Sequence, residues 1–146
     1  MKSFPLLIAF GLIWPAIAGE PWRTQNSPIR IELDVFSGRP NPTWNLNDEQ
    51  SREFLIRFGA LKKYRTNRKL YEGLGYRGFT VTGFQDYDRV TIWDGLVQTN
   101  RAAEREKLID EAGRLERFLL ETSKGQIDGD LYRFVASVAG KQATRK

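Results

Sequence analysis

The chain has 146 residues and a formal net charge of +5, and it contains no cysteine and no histidine. Those two absences exclude disulfide staples, Ser-His-Asp and Cys-His nucleophiles, and any metal site built on His or Cys ligands. Such a chain has to be held together by its apolar core.

The first stretch, MKSFPLLIAFGLIWPAIAGEPW, carries Lys2, an apolar run over 4–17 and then small residues. Ala16-Ile17-Ala18 fits the A-x-A rule for signal peptidase, with cleavage before Gly19. The run is broken by Pro5 and Pro15 and is shorter than the ~20 residues a membrane span needs. Residues 1–18 are therefore expected to be a signal peptide. The protein is expected to be secreted or periplasmic, with no stable membrane insertion after cleavage. What remains, 19–146, has the length of one domain. With Lys2 gone its net charge is +4, mildly basic and well mixed, which does not argue for nucleic acid as a partner.

Residues 19–28 read as an irregular lead-in. Ile29, Ile31, Leu33 and Val35 then alternate with Arg30, Glu32 and Asp34, the period of a half-buried strand. The loop SGRPNP follows. Asn47 with Gln50 three positions on forms a capping box, and Phe54, Leu55, Phe58 and Leu61 recur at helical spacing, so a helix is predicted over about 48–64. A polar, glycine-rich connection leads to FTVTGF (79–84), RVTIW (89–93) and LVQT (96–99), three short strands. The Asp94-Gly95 pair predicts a tight hairpin between the last two. From about Asn100 a long helix is predicted, with Leu108, Ala112, Leu115 and Leu119 on one stripe and Ile109 and Phe118 widening it. Gly125 ends it. A short helix is predicted within 130–140, and 141–146 is a basic tail. The expected fold is a single small α+β domain: an antiparallel or mixed sheet of about four strands with two to three helices packed on it.

Few constellations in this chain could carry chemistry. GLGYRG (73–78) matches G-x-G-x-x-G formally, but a strand rather than a helix follows it, so no dinucleotide site is expected. Glu32 and Asp34 project from the same strand face about 7 Å apart, a spacing open to a glycosidase-like hydrolase that needs only two carboxylates. Asp86 and Asp88 flank a turn, and the DGD at 128–130 lacks the further ligands of a calcium loop. No metal and no cofactor is expected. Trp22, Trp44 and Trp93 with the tyrosines offer either a sugar-stacking platform or core filling.

The loop itself is stiff. Pro40 and Pro42 fix their own φ, they push Arg39 and Asn41 into extended conformations, and Gly38 supplies positive φ. A loop with few conformers serves either as a preformed binding edge presenting Arg39 and Asn41, or as a corner with Trp44 plugging the core. FSGRPNPTW, followed by LGYRGF, resembles a group of small exported proteins of uncharacterised function. The resemblance covers roughly 29–84. It implies that Ser37, Gly38, Arg39, Pro40, Asn41, Pro42, Trp44, Tyr76, Arg77 and Gly78 belong together, and that SGRPNP and GYRG lie side by side at one sheet edge.

The sequence thus reads as an exported binding or interaction protein whose partner is a protein or an envelope polymer. Its binding residues would be Ser37, Arg39, Asn41, Trp44, Tyr76 and Arg77. A carboxylate-dependent hydrolase using Glu32 and Asp34, and an interaction module with no small ligand, are the alternatives. Binding is favoured over catalysis because no histidine is present.

Overall fold

The computed structural model describes residues 27–142, with side chains up to Ala139. The expected signal peptide, most of the lead-in (Trp22 included) and the last four residues of the tail lie outside this range. No helix among the described residues is long and apolar enough to cross a membrane.

The domain is α+β. Its strands are β1 (Arg30–Asp34), β2 (Thr43–Asn45), β3 (Lys62–Lys63), β4 (Gly78–Thr82), β5 (Arg89–Trp93), β6 (Leu96–Arg101) and β7 (Glu104–Ile109), and its helices are α1 (Asp48–Gly59), α2 (Arg114–Thr122) and α3 (Gly129–Gln142). All seven strands form one antiparallel sheet in the order β2-β1-β4-β5-β6-β7-β3. The expected count of about four strands is therefore corrected to seven.

Two of the additional strands are the short edges β2 and β3, too brief to leave an alternation pattern. The third is β7, which replaces the first half of the helix expected from Asn100. Glu104, Arg105, Glu106, Lys107 and Leu108 all favour helices intrinsically, but six register pairs with β6, from Leu96↔Ile109 to Arg101↔Glu104, hold them extended. Only from Arg114 does the helical stripe hold, burying Leu115, Leu119 and Leu120. The first helix ends at Gly59 rather than near 64, because Lys62 and Lys63 pair with Ile109 and Leu108.

Other local signals act as their chemistry dictates. Asn47 accepts from Gln50 N at 2.8 Å and Gln50 returns the bond to Asn47 N at 3.0 Å, so the capping box opens α1. Asp94 and Gly95 both take positive φ (50° and 72°), as a hairpin turn matched to strand twist requires.

The helices cover one face of the sheet. Ile31, Leu33, Phe79, Val81, Val90, Ile92 and Val97 point from it into a core completed by Phe54, Phe58, Leu115, Leu119 and Val135. Phe54, Phe58, Phe84 and Tyr87 form an aromatic cluster there, with ring centroids 5.0–5.8 Å apart. The opposite face is polar. Register places Thr43, Glu32, Thr80, Thr91, Gln98 and Lys107 in one row across it.

Candidate functional site at the loop end of the sheet

Antiparallel pairing brings Asp34, Gly78, Trp93, Leu96 and Ile109 to one end of the sheet. The loops 35–42, 64–77, 94–95 and 110–113 therefore converge there, beside the start of α2. Two side-chain networks are built at this end, joined through the neighbours Tyr76 and Arg77.

The first network lies inside the SGRPNP loop. The Asn41 side chain points inward: its Oδ1 accepts from Val35 N (3.1 Å) and Phe36 N (2.9 Å), and its Nδ2 donates to Glu32 Oε1 (3.1 Å) and Asp34 Oδ1 (3.0 Å). Arg77 closes the network. It donates to Asp34 Oδ1 from Nε (3.0 Å) and Nη2 (2.5 Å), to Phe36 O at 2.7 Å, to Gly73 O at 3.3 Å and to Ser37 Oγ at 3.4 Å. SGRPNP and GYRG do lie side by side, but at the end of two interior strands rather than along a sheet edge. Arg39 remains at the surface and stacks its guanidinium 3.4 Å from the Phe36 ring centroid. Gly38 takes φ +82° with open space beside it.

The second network is a groove of about 1110 Å³. Its walls include Arg68, Trp93, Asp94, Arg117 and Tyr132, and Glu116 lies at its base. Glu116 stands in the first turn of α2, where the positive end of the helix dipole favours an acid. Its Oε1 accepts from the Tyr76 hydroxyl at 2.5 Å and its Oε2 from Asp94 N at 3.1 Å. Burial raises the Glu116 carboxyl to about 7, assisted by the Asp110 and Asp94 carboxylates and opposed by its two hydrogen bonds. Burial also raises the Tyr76 phenol, and the neighbouring Glu116 charge adds to that. Asp110 is buried too, and its carboxylate oxygens accept from Leu115 N (both at 3.0 Å) and Glu116 N (3.1 Å), fixing the start of α2.

Over the polar side of this end, residues 64–77 form a strap. Tyr64 N donates to Lys107 O, and Lys107 Nζ donates to the carbonyls of Thr66 and Arg68. Arg68 pairs with Asp94 and lies 5.3 Å from the Trp93 ring centroid. Tyr71 stacks on Trp93 at 5.6 Å and 18°. Beneath, the Trp93 indole N–H is shielded from solvent and has no partner among the described residues.

The six residues expected to bind are thus split by the fold. Ser37 and Arg39 are exposed and Arg77 is half-buried, while Asn41 is turned into its own loop. Trp44 and Tyr76 belong to the core, where the Trp44 indole donates to Thr122 Oγ1 at 3.0 Å and ties edge strand β2 to α2. Glu32 and Asp34 do share a face, but both are tied to the Asn41 amide, and Asp34 to Arg77 besides. The turn acids are also engaged: Asp86 pairs with Arg101, Asp88 accepts from Ala102 N, and Asp128 caps α3 through Asp130 N. Among the described residues no His, Cys, Asp and Glu cluster is placed to hold a metal ion. Sequence reading missed Glu116, Asp110 and the strap residues Arg68 and Tyr71. Glu116 directly follows Leu115 and lies one turn before Leu120, which puts it on the border of the apolar stripe. That position was the available signal. Compared with protein-family models, curated proteins and solved structures, the chain matches none.

Proposed function

We propose that the chain is an exported binding protein and that its partner, a protein or an envelope polymer, docks at the loop end of the sheet. The observation that carries this reading is the Trp93 N–H, buried and without a partner among the described residues, in the wall of an open groove. A buried polar group without a partner is rare in folded proteins and calls for an acceptor. A partner that displaces the Tyr71 and Arg68 cover from the indole can supply one. The exposed rim of the SGRPNP loop adds Ser37 and Arg39, held in one shape from within, so little ordering entropy is lost when they are covered. Of the exposed large apolar side chains among the described residues, Tyr64, Tyr71 and Leu74 sit on the strap itself, with Leu55 and Ile56 on α1 and Phe134 on α3.

Co-sedimentation of the purified protein with washed cell-envelope fractions tests the reading. Retention is expected for the wild type, with loss on Trp93→Phe, which keeps an aromatic ring but removes the N–H, and on Arg39→Glu. Equal retention of both variants at unchanged melting temperature overturns it.

Glu116 favours a second reading. Burial pushes its carboxyl up to about 7, the property a general acid needs. A carboxylate-dependent hydrolase on this chain would therefore use Glu116, with Asp94 or Asp110 nearby, in place of Glu32 and Asp34. Release of phenol from aryl glycosides by the wild type, abolished in Glu116→Gln, is the result that supports it. No release by the wild type sinks it.

A further inference from the structure

At the far end of the strands from the groove, the polar sheet face carries a row of three arginines. Register pairs Arg30 with Thr82, and Arg89 with Asn100, which in turn pairs with Arg105. One strand lies between successive arginines, so their Cα atoms are about 9.6 Å apart, twice the interstrand spacing. All three are exposed, and none is ion-paired with a described residue. Arg30 makes one side-chain bond, to the Thr43 hydroxyl at 3.2 Å. Of the two acids that β1 puts on this face, Asp34 is ion-paired with Arg77, while Glu32 accepts from the neutral Asn41 amide and keeps its charge two residues from Arg30. Lys107 adds a fourth cation in the next row, held by carbonyls and not by a carboxylate. Hydroxyls and amides fill the spaces between the charges: Thr82 and Asn100 in the arginine row, then Thr80, Thr91 and Gln98 beside it.

A row of evenly spaced guanidiniums, none in a salt bridge with a described residue and separated by hydroxyl and amide groups, suits a polymer that repeats charge and hydroxyl in the same way. We propose that this face binds a linear anionic polysaccharide with one carboxylate per disaccharide, laid across the strands along Arg30, Arg89 and Arg105. One disaccharide of an extended chain covers about one arginine-to-arginine step. Each carboxylate then meets one planar fork of donors, and the sugar hydroxyls meet Thr82, Asn100 and the neighbouring row. Duplex DNA fits less well. It carries a charge about every 1.7 Å of axis, far denser than this row. Single strands are gripped through aromatic stacking, and no exposed aromatic of the described residues stands in the arginine row, Tyr64 and Tyr71 being on the strap and Phe134 on α3. The site is separate from the groove and does not depend on it.

Isothermal titration of the purified protein at low ionic strength with hyaluronate, neutral dextran and duplex DNA tests this. Hyaluronate is expected to bind, dextran is not, and DNA is expected to bind more weakly. The hyaluronate association constant should fall as salt is raised, because the attraction is screened, but less steeply than that of the DNA complex, whose dense charge holds counterions that binding releases. The double variant Arg89→Gln/Arg105→Gln should lose at least about tenfold in affinity, while Arg133→Gln, which removes an exposed charge on α3, leaves it unchanged. Absence of hyaluronate binding, tighter binding of DNA, or an unaffected double variant each overturns the proposal. If the double variant melts markedly lower, Arg105→Gln alone decides: weakening by several-fold supports the site, and unchanged affinity rejects it.

Discussion

Two polar residues organise the loop end: Glu116, which no sequence motif singled out, and Asn41, which was expected to face a partner. Glu116 titrates near 7 in the folded protein against 4.5 in the free side chain, so the folded state binds its proton more tightly. The stabilisation this provides is complete below pH 4.5 and is lost as pH rises through 7, by roughly 3 kcal/mol. Glu116→Gln keeps the shape without the charge, so urea melts should show variant and wild type close at pH 4.5. The variant should be more stable by about 2–3 kcal/mol at pH 8. Tyr76→Phe acts in the opposite direction at pH 8. It removes a donor from the buried carboxylate and should cost about 1.5–3 kcal/mol. Asn41 completes strand β1 where β2 is too short to reach, taking the N–H groups of Val35 and Phe36 with a side-chain oxygen. Asn41→Ala should therefore destabilise by about 2–3 kcal/mol, since two N–H groups and two carboxylates lose a partner. Arg39→Ala, which loses only a surface contact with Phe36, should cost well under that, about 0.5–1 kcal/mol. The two melting curves, measured side by side, separate the structural residue of the loop from the free one. Stiffness of the loop was legible from Gly38, Pro40 and Pro42. The inward turn of Asn41 was not, because the path by which the loop folds back over Glu32 and Asp34 leaves no mark in the residue pattern.

Among the elements, those set by local chemistry were the legible ones. The Asn47 capping box, the Asp94-Gly95 turn and the alternation of β1, β4, β5 and β6 each depend on residues close in sequence, and each stands where it was expected. Strand β7 was not legible, since its helix-forming residues are held extended only by a neighbour that must already be in place. Ala102 is held at φ 50°, a conformation that costs a residue with a Cβ on the order of 1 kcal/mol. Ala102→Gly should accordingly raise stability by a few tenths to about 1 kcal/mol in the same melts. Gly78 gives the opposite case at the entry to β4. A Cβ there would lie 2.1 Å from the Ile92 carbonyl oxygen, at φ +103°. Gly78→Ala should cost more than about 3 kcal/mol, enough to leave little soluble folded protein.

For the molecule as a whole, composition and alternation made the α+β class and the one-sided helix packing legible. Seven-strand width was hidden, because strands of two or three residues carry no period. The same short edges limit how copies of the protein can meet. On one side, β2, the Leu33 N–H to Pro42 bond and the Asn41 amide occupy the outer groups of β1. On the other, Lys62 and Lys63 present two cations on a strand only two residues long, a poor template for another chain. Replacing both with valine should produce higher-mass species in light scattering of concentrated, briefly warmed samples, where the wild type stays at its own mass. Width in this sheet is finished from within each chain, so crowding adds neighbours to the molecule without adding strands to it.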